Sequence, residues 1–266
     1  MHAFDYIRAS SLAEAERLLG SDPDAKLLAG GQTLLPAWKH GLNAPSLLID
    51  LQDIAGLSDL SIGHDGVTVG AMVRHAQVAR LKDSGAAGLA MLACGIADPQ
   101  VRNLGTIGGS IANNDPAADY PAAVLGLDAR VITNRREIAS DRFFTDLFST
   151  ALEPDEIIVA VRFPKARRAG YFKVANPASG YVTVGAFVAD FGDHVRVAIN
   201  GARTCVYRDK TCERLLSDNL SAAALRDYIV APDDLNDDMH ASASYRAHLI
   251  PRAIARAIGR MTETPS

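Results

Sequence analysis

Three glycines, two hydroxyl side chains and two carboxylates crowd into residues 103–119, Asn-Leu-Gly-Thr-Ile-Gly-Gly-Ser-Ile-Ala-Asn-Asn-Asp-Pro-Ala-Ala-Asp. A segment of this composition is too irregular for a core element and reads as a binding loop. Gly105, Gly108 and Gly109 lack the Cβ that holds an anion away from the backbone. Their freedom at φ > 0 lets successive N–H groups point into one concavity, which suits a phosphate. Thr106 and Ser110 add hydroxyl donors beside it. Asp115 and Asp119 only accept when ionised, so they suit sugar hydroxyls or a ring N–H. The expected ligand carries phosphate at one place and hydroxyls at another, as a nucleotide does.

A second glycine turn lies far upstream. The apolar run Ala25-Lys-Leu-Leu-Ala29 is broken by Gly30-Gly31, after which Gln32-Thr33-Leu34-Leu35-Pro36 leads toward Trp38. Either turn alone is equally a plain chain reversal. Together, with flanking hydroxyls, they read as two strand-end turns that close on the two halves of one diphosphate. A Rossmann site competes, because Asp50 follows Gly30 by twenty residues at the end of another apolar run. Its Gly-x-Gly-x-x-Gly fingerprint is missing, since Gln32 and Leu35 stand where the second and third glycines belong. Neither turn carries Gly-Lys-Ser/Thr, so a P-loop is excluded.

Composition narrows the classes further. The 266 residues, 48% hydrophobic, suffice for two or three small domains. Lys plus Arg number 27 against 31 Asp plus Glu, a net charge of −4 with no basic stretch, which argues against a nucleic-acid partner. No run approaches the ~18–20 apolar residues of a membrane span, and Met1-His-Ala-Phe-Asp-Tyr6 has no signal-peptide character, so a cytoplasmic protein is expected. Cys94, Cys205 and Cys212 fit no cluster spacing and read as buried or half-buried thiols of a reducing compartment. The seven histidines are scattered, so no metal site is expected. No Gly-x-Ser-x-Gly elbow occurs, and no catalytic side chain is assigned.

The chain divides into three units, residues 1–52, 53–165 and 166–266, the last boundary falling at Pro164-Lys-Ala-Arg-Arg-Ala-Gly170. The first is a small α/β unit with a capping box at Ser11–Glu14, a helix stopped by Gly20, and strands at 26–29 and 46–50. The second opens with a hairpin around Gly63-His-Asp-Gly66, then helices at 73–81 and 86–97, the latter ending near Pro99. After the glycine loop come a short helix at 120–127 and strands at 129–133 and 157–163. The third begins with strands at 171–175, 181–191 and 194–200 that alternate as an antiparallel sheet, and ends in helices from 211 to 258, with Pro251 expected to bend or divide the last. The fold class is α+β.

Ala29-Gly-Gly-Gln-Thr-Leu-Leu-Pro36 and Val101-Arg-Asn-Leu-Gly-Thr-Ile-Gly-Gly-Ser110, followed by Asn114-Asp-Pro-Ala-Ala-Asp-Tyr-Pro121, resemble the two FAD-diphosphate loops of the medium subunit of molybdenum hydroxylases. That family includes the flavoprotein subunits of aerobic carbon monoxide dehydrogenases and xanthine dehydrogenases. The resemblance extends through Phe143-Phe144 and Thr150–Glu156 to Tyr245-Arg-Ala-His248. It implies a two-subdomain FAD-binding fold of the vanillyl-alcohol-oxidase (PCMH) type, then a C-terminal domain with a small antiparallel sheet and a helical bundle. It also implies non-covalent FAD, with Gly30 through Thr33 and Thr106 through Ser110 (Ile107, Gly108 and Gly109 included) on the diphosphate. Ile96 falls by the adenine, Asp119 toward the ribityl and flavin end, and Lys173 and Tyr181 near the isoalloxazine. Ala29, Leu34, Gly105, Asn114, Asp115 and Ile158 complete the cofactor-binding set that the resemblance implies.

The function so implied is electron transfer, from the 2Fe-2S clusters of a small partner subunit to an external acceptor, with molybdopterin in a large partner subunit and the whole a dimer of heterotrimers. Two other readings stand beside it, a free-standing flavin-dependent oxidoreductase and a nucleotide-binding regulatory module. The chain also departs from the family pattern. Relatives often have His where Gln32 stands, two threonines near Val73-Arg74, Asn at Ser110 and a basic pair at Asn176-Pro177. The last difference sits just before Tyr181 and bears on the acceptor entrance.

Overall fold

A computed structural model describes residues 4–81 and 86–261; Met1 to Ala3, with His2 and the start of the amino-terminal segment read above, lie outside the described residues. The first unit is a three-stranded parallel sheet, with Leu47–Asp50 between Asp5–Arg8 and Lys26–Leu28. Leu47–Asp50 is buried at every position, as an apolar central strand requires. The helix Leu12–Ser21 runs one residue past Gly20, and its cap differs slightly from a capping box. The Ser11 Oγ accepts from Glu14 N–H, but the Glu14 carboxylate accepts from Ser10 N–H rather than from Ser11.

The second unit is a five-stranded antiparallel sheet in the order Leu60–Gly63, Gly66–Gly70, Ile158–Pro164, Arg130–Thr133, Glu137–Ala139. Its hairpin pairs Gly63 with Gly66 across His64-Asp65. Gly66 has φ +148°, and a Cβ there would lie 2.0 Å from Phe163 O, so this position tolerates only glycine. The helix expected at 73–81 shrinks to the single turn His75–Val78, because Val73 and Arg74 are drawn into backbone pairing with residues 105–107. Pro99 does not merely end a helix. After Ala87–Cys94 the chain turns, Asp98 caps Val101 N–H, and Pro99 opens the helix Pro99–Leu104. Cys94, last in its helix, is exposed rather than buried.

The third unit is a four-stranded antiparallel sheet, Arg168–Ala175, Val182–Asp190, Val195–Asn200 and Tyr207–Arg208. The expected alternation is absent, since Val182–Asp190 and Val195–Asn200 are buried throughout. The helix Ala243–Arg260 lies against the first two strands, while Ala87–Cys94 and Tyr120–Gly126 of the second unit also pack on this sheet. Both faces are therefore covered, and a half-wet pattern has nothing to report. Pro251 sits inside Ala243–Arg260 without dividing it. Between the helix Lys210–Asp218 with its short 3-10 turn Ala222–Leu225 and that final helix, residues 226–242 are not helical, contrary to the alanine-rich reading. Asp227, Pro232, Asp233, Asp234, Asn236, Asp237 and Asp238 bring turn chemistry that competes with helix there.

Candidate functional site

The structure gathers the two glycine segments around one cavity of about 900 Å³, near the upper end of the ~300–1,000 Å³ typical of small-molecule sites. Its first wall is the turn at 29–34, at the carboxyl end of the parallel strand Lys26–Leu28, where open parallel sheets place their ligands. The backbone N–H groups of Gly30, Gly31, Gln32, Thr33 and Leu34 make no hydrogen bond among the described residues. Five consecutive open donors on a cavity wall form an anion-binding concavity. Gly31 has φ +68°, which the turn requires of a glycine. Gly30 serves close approach instead, since a Cβ would lie 2.3 Å from Leu104 O and 2.7 Å from Gly105 Cα.

The second wall differs from its reading as an irregular loop. Ile107–Asn113 is a helix capped by Thr106, whose Oγ1 accepts from Gly109 N–H at 3.2 Å. The N–H groups of Gly105, Ile107 and Gly108 already donate to the carbonyls of Val101, Val73 and Ala71. Gly105, Gly108 and Gly109 all lack the positive φ expected of them. Gly105 and Gly108 are contact glycines, because a Cβ would lie 2.5 Å from His75 Nε2 in the first case and 2.6 Å from Ala71 Cβ in the second. Gly109 is exposed, and a Cβ there would lie 3.1 Å from Thr106 Oγ1 and 3.5 Å from Ala29 Cβ. On this wall the polar side chains are the Thr106 and Ser110 hydroxyls, whereas the row of open N–H groups belongs to the first turn.

Of the nineteen residues read as cofactor-binding, seventeen line this cavity: Ala29, Gly30, Gly31, Gln32, Thr33, Leu34, Ile96, Gly105, Thr106, Gly108, Gly109, Ser110, Asp115, Asp119, Ile158, Lys173 and Tyr181. Two do not. Ile107 is fully buried in the core of the second unit. Asn114 is a buried pin: it caps the helix in the left-handed region at φ 44°, and its Nδ2 donates to the carbonyls of Asp146 and Ser149 at 2.8 and 2.7 Å. The local sequence could not separate Asn114 from its cavity-lining neighbours, because its partners lie more than thirty positions away.

Also on the cavity wall, Asp119 is buried and held by three contacts. Tyr171 Oη donates to it at 2.9 Å, and Lys173 Nζ lies 3.0 and 3.1 Å from its two oxygens while also donating to Gly180 O. Burial pushes the Asp119 carboxyl above its usual range, opposed by the Lys173 charge. Burial likewise raises Asp115, whose carboxylate accepts from Ala117 N–H. Tyr171 escaped sequence reading, although it stands two residues before Lys173 on one strand, the spacing that puts both side chains on one face. His75 also lines the cavity with no sequence signal. It is buried, and its pKa falls to about 4 because burial, then the Arg102 charge, disfavours the protonated ring. Glu156 sits beneath the wall, lowered to about 2 chiefly by hydrogen bonds from Arg136 and held also by Thr133.

A row of open N–H groups and a buried carboxylate–ammonium pair on the wall of one cavity suit a ligand with both an anionic and a hydroxyl-bearing part. Residues 2–166 match the family described as the FAD binding domain in molybdopterin dehydrogenase. The nicotine 6-hydroxylase medium subunit of Paenarthrobacter nicotinovorans is 35% identical, with 96% of each chain covered. Among solved structures, a carbon monoxide dehydrogenase from Hydrogenophaga pseudoflava superposes with a TM-score of 0.88 at 31% identity, covering 98% of this chain and 97% of that one. Quinoline 2-oxidoreductase from Pseudomonas putida 86 does so with a TM-score of 0.85 at 28% identity, covering 98% and 97%.

The chain belongs to the family of FAD-binding subunits of molybdenum hydroxylases, and FAD is its cofactor. No helix among the described residues is long and apolar enough to cross a membrane.

Proposed function

We propose that this chain is the cytoplasmic flavoprotein subunit of a heteromeric molybdenum-containing dehydrogenase, carrying electrons from a small iron-sulfur subunit to an external acceptor. A large molybdenum subunit completes the assembly, as a dimer of heterotrimers. The row of open N–H groups at Gly30–Leu34 carries the reading, because it fits a diphosphate and has no other use in the fold. FAD, when bound, supplies a redox centre able to take up and release electrons singly or in pairs.

The chain's own residues position and shield it. The turn at 29–34 holds the diphosphate, with the Thr106 and Ser110 hydroxyls opposite. Ile96 covers the adenine. Asp119, fixed by Tyr171 and Lys173, faces the ribityl and flavin end, and Tyr181 closes that end. The boundaries near residues 52 and 165 divide the chain into two cofactor-holding units and a C-terminal cover. Free thiols at Cys94, Cys205 and Cys212 agree with a reducing compartment.

The isolated chain is expected to hydroxylate no heterocycle, aldehyde or carbon monoxide, whereas anaerobic mixing with its purified partner complex and substrate bleaches the flavin band. Turnover by the chain alone supports a free-standing oxidoreductase. A flavin that stays oxidised beside an active partner complex supports a regulatory module.

A further inference from the structure

Residues 116–119 belong to the second unit, and Ala118 and Asp119 line the cofactor cavity. The third unit bonds every one of them. The carbonyls of Pro116, Ala117 and Ala118 accept from Gly201 N–H at 2.8 Å, Val182 N–H at 3.1 Å and Asn200 Nδ2 at 2.7 Å. The Asp119 carboxylate then takes its donors from Tyr171 and Lys173. Four consecutive residues of one unit are thus held by the strands Arg168–Ala175, Val182–Asp190 and Val195–Asn200 and by the glycine that follows the last.

Lys173, Gly185 and Asn200 stand opposite one another across these strands, and Tyr171 lies two residues from Lys173, on the same face. Ala118 O can only accept, which fixes the amide nitrogen of Asn200 toward it. The same Nδ2 lies 3.4 Å from Tyr171 Oη and donates to its lone pair. The tyrosine proton is thereby left for Asp119 Oδ1 at 2.9 Å. The row from Asn200 through Tyr171 to Asp119 therefore runs in one direction, and each donor polarises the next. Gly185 keeps room for it, since a Cβ there would lie 2.2 Å from Asn200 Oδ1 and 2.8 Å from Tyr171 Oη. Packing does not explain the asparagine. It is buried, and its Oδ1 has no partner among the described residues, a cost that an apolar side chain of the same size avoids.

We infer that Tyr171 and Asn200 are positioning residues of the cofactor site, which act through Asp119 and hold its carboxylate at one angle to the ribityl hydroxyls. Neither residue lines the cavity. An ionised carboxylate has about four acceptor sites, and Tyr171 and Lys173 fill only part of them. The rest face the ligand only while the group is kept from turning. The inference rests on the FAD reading above, and it gives the third unit a share in holding FAD.

The test is a double-mutant cycle on the full chain, freed of flavin and titrated with FAD, with binding followed by the loss of flavin emission. Tyr171→Phe is expected to raise the dissociation constant about ten-fold, the scale of one hydrogen bond to a charged group. Asn200→Leu should raise it less. In a chain already carrying Asp119→Asn, which keeps the shape and gives up the charge, Tyr171→Phe should change affinity by about two-fold or less, because the interaction it cuts is gone. Visible ellipticity of the bound flavin should change with Tyr171→Phe and not further in the Asp119→Asn chain. If Asp119→Asn fails to fold, the cycle is run between Tyr171→Phe and Asn200→Leu, whose joint effect should fall short of the product of the two.

Equal factors for Tyr171→Phe with and without Asp119→Asn would overturn the inference and leave the FAD reading standing. So would a Tyr171→Phe chain with wild-type affinity and ellipticity, or full independence of Tyr171→Phe and Asn200→Leu. A wild-type chain that takes up no FAD would overturn the cofactor reading itself, and this inference with it.

Discussion

Gly108 and Gly109 are neighbours in one helix, yet the Cβ atoms they lack leave room for different things. At Gly108 a Cβ would run into the Ala71 backbone and side chain, whereas at exposed Gly109 it would meet only the Thr106 hydroxyl, at 3.1 Å, and Ala29 Cβ, at 3.5 Å, on the cavity wall. Gly108→Val is expected to destabilise the fold by about 1–3 kcal/mol through overpacking, read as a lower urea midpoint. Gly109→Val should instead keep the midpoint near wild type and reduce FAD occupancy. Equal effects of the two on flavin content would refute the division of labour. His75 gives a pH signature. Its folded pKa of about 4 lies below the ordinary 6.5, so the unfolded chain binds the extra proton and stability falls as pH drops from 6.5 toward 4. That loss amounts to about 2.5 kcal/mol by pH 4.5, and His75→Gln should flatten the curve of urea midpoint against pH in this window. Tyr181→Ala should keep most of the FAD while raising flavin emission, because stacking on the ring is worth only about 1 kcal/mol beyond area burial. Tyr181→Phe should change emission little, and Ala and Phe variants that both match wild type would remove Tyr181 from the flavin face.

At the scale of elements, Asn114 joins the end of the Ile107–Asn113 helix to the hairpin formed by Phe144–Asp146 and Ser149–Thr150. Asn114→Ala loses two part-buried hydrogen bonds and a residue type that tolerates φ 44°, so a loss of about 2 kcal/mol is expected with FAD affinity unchanged in the folded fraction. A variant of full stability and weakened FAD binding would restore Asn114 to the cofactor site. Elements with local signals were legible in the sequence: the Ser11 cap, the Gly63–Gly66 hairpin and the apolar run of Leu47–Asp50. Elements shaped by distant partners were not. Residues 73–81 lost most of a helix to pairing with residues 105–107, and the middle strands of the third unit lost their alternation to helices packed from both sides. The glycine segment misled in the same way, since its glycines answer to Ala71 and His75, which no local window contains.

At the scale of the whole molecule, much of the cavity's lining was legible because its residues cluster in two short motifs that the fold brings together. What escaped notice, Tyr171 and His75 among them, comes singly from other elements and acts through packing. The central claim is that one cavity, lined both by the open N–H row of Gly30–Leu34 and by Asp119, Lys173 and Tyr181, holds one FAD without a covalent bond. The most direct test is acid precipitation of the purified full chain, with the supernatant flavin identified by mass and counted against protein. One FAD per chain in a clear supernatant over a colourless pellet is the expected result. Colour retained in the pellet, FMN in place of FAD, or no flavin at all would contradict it.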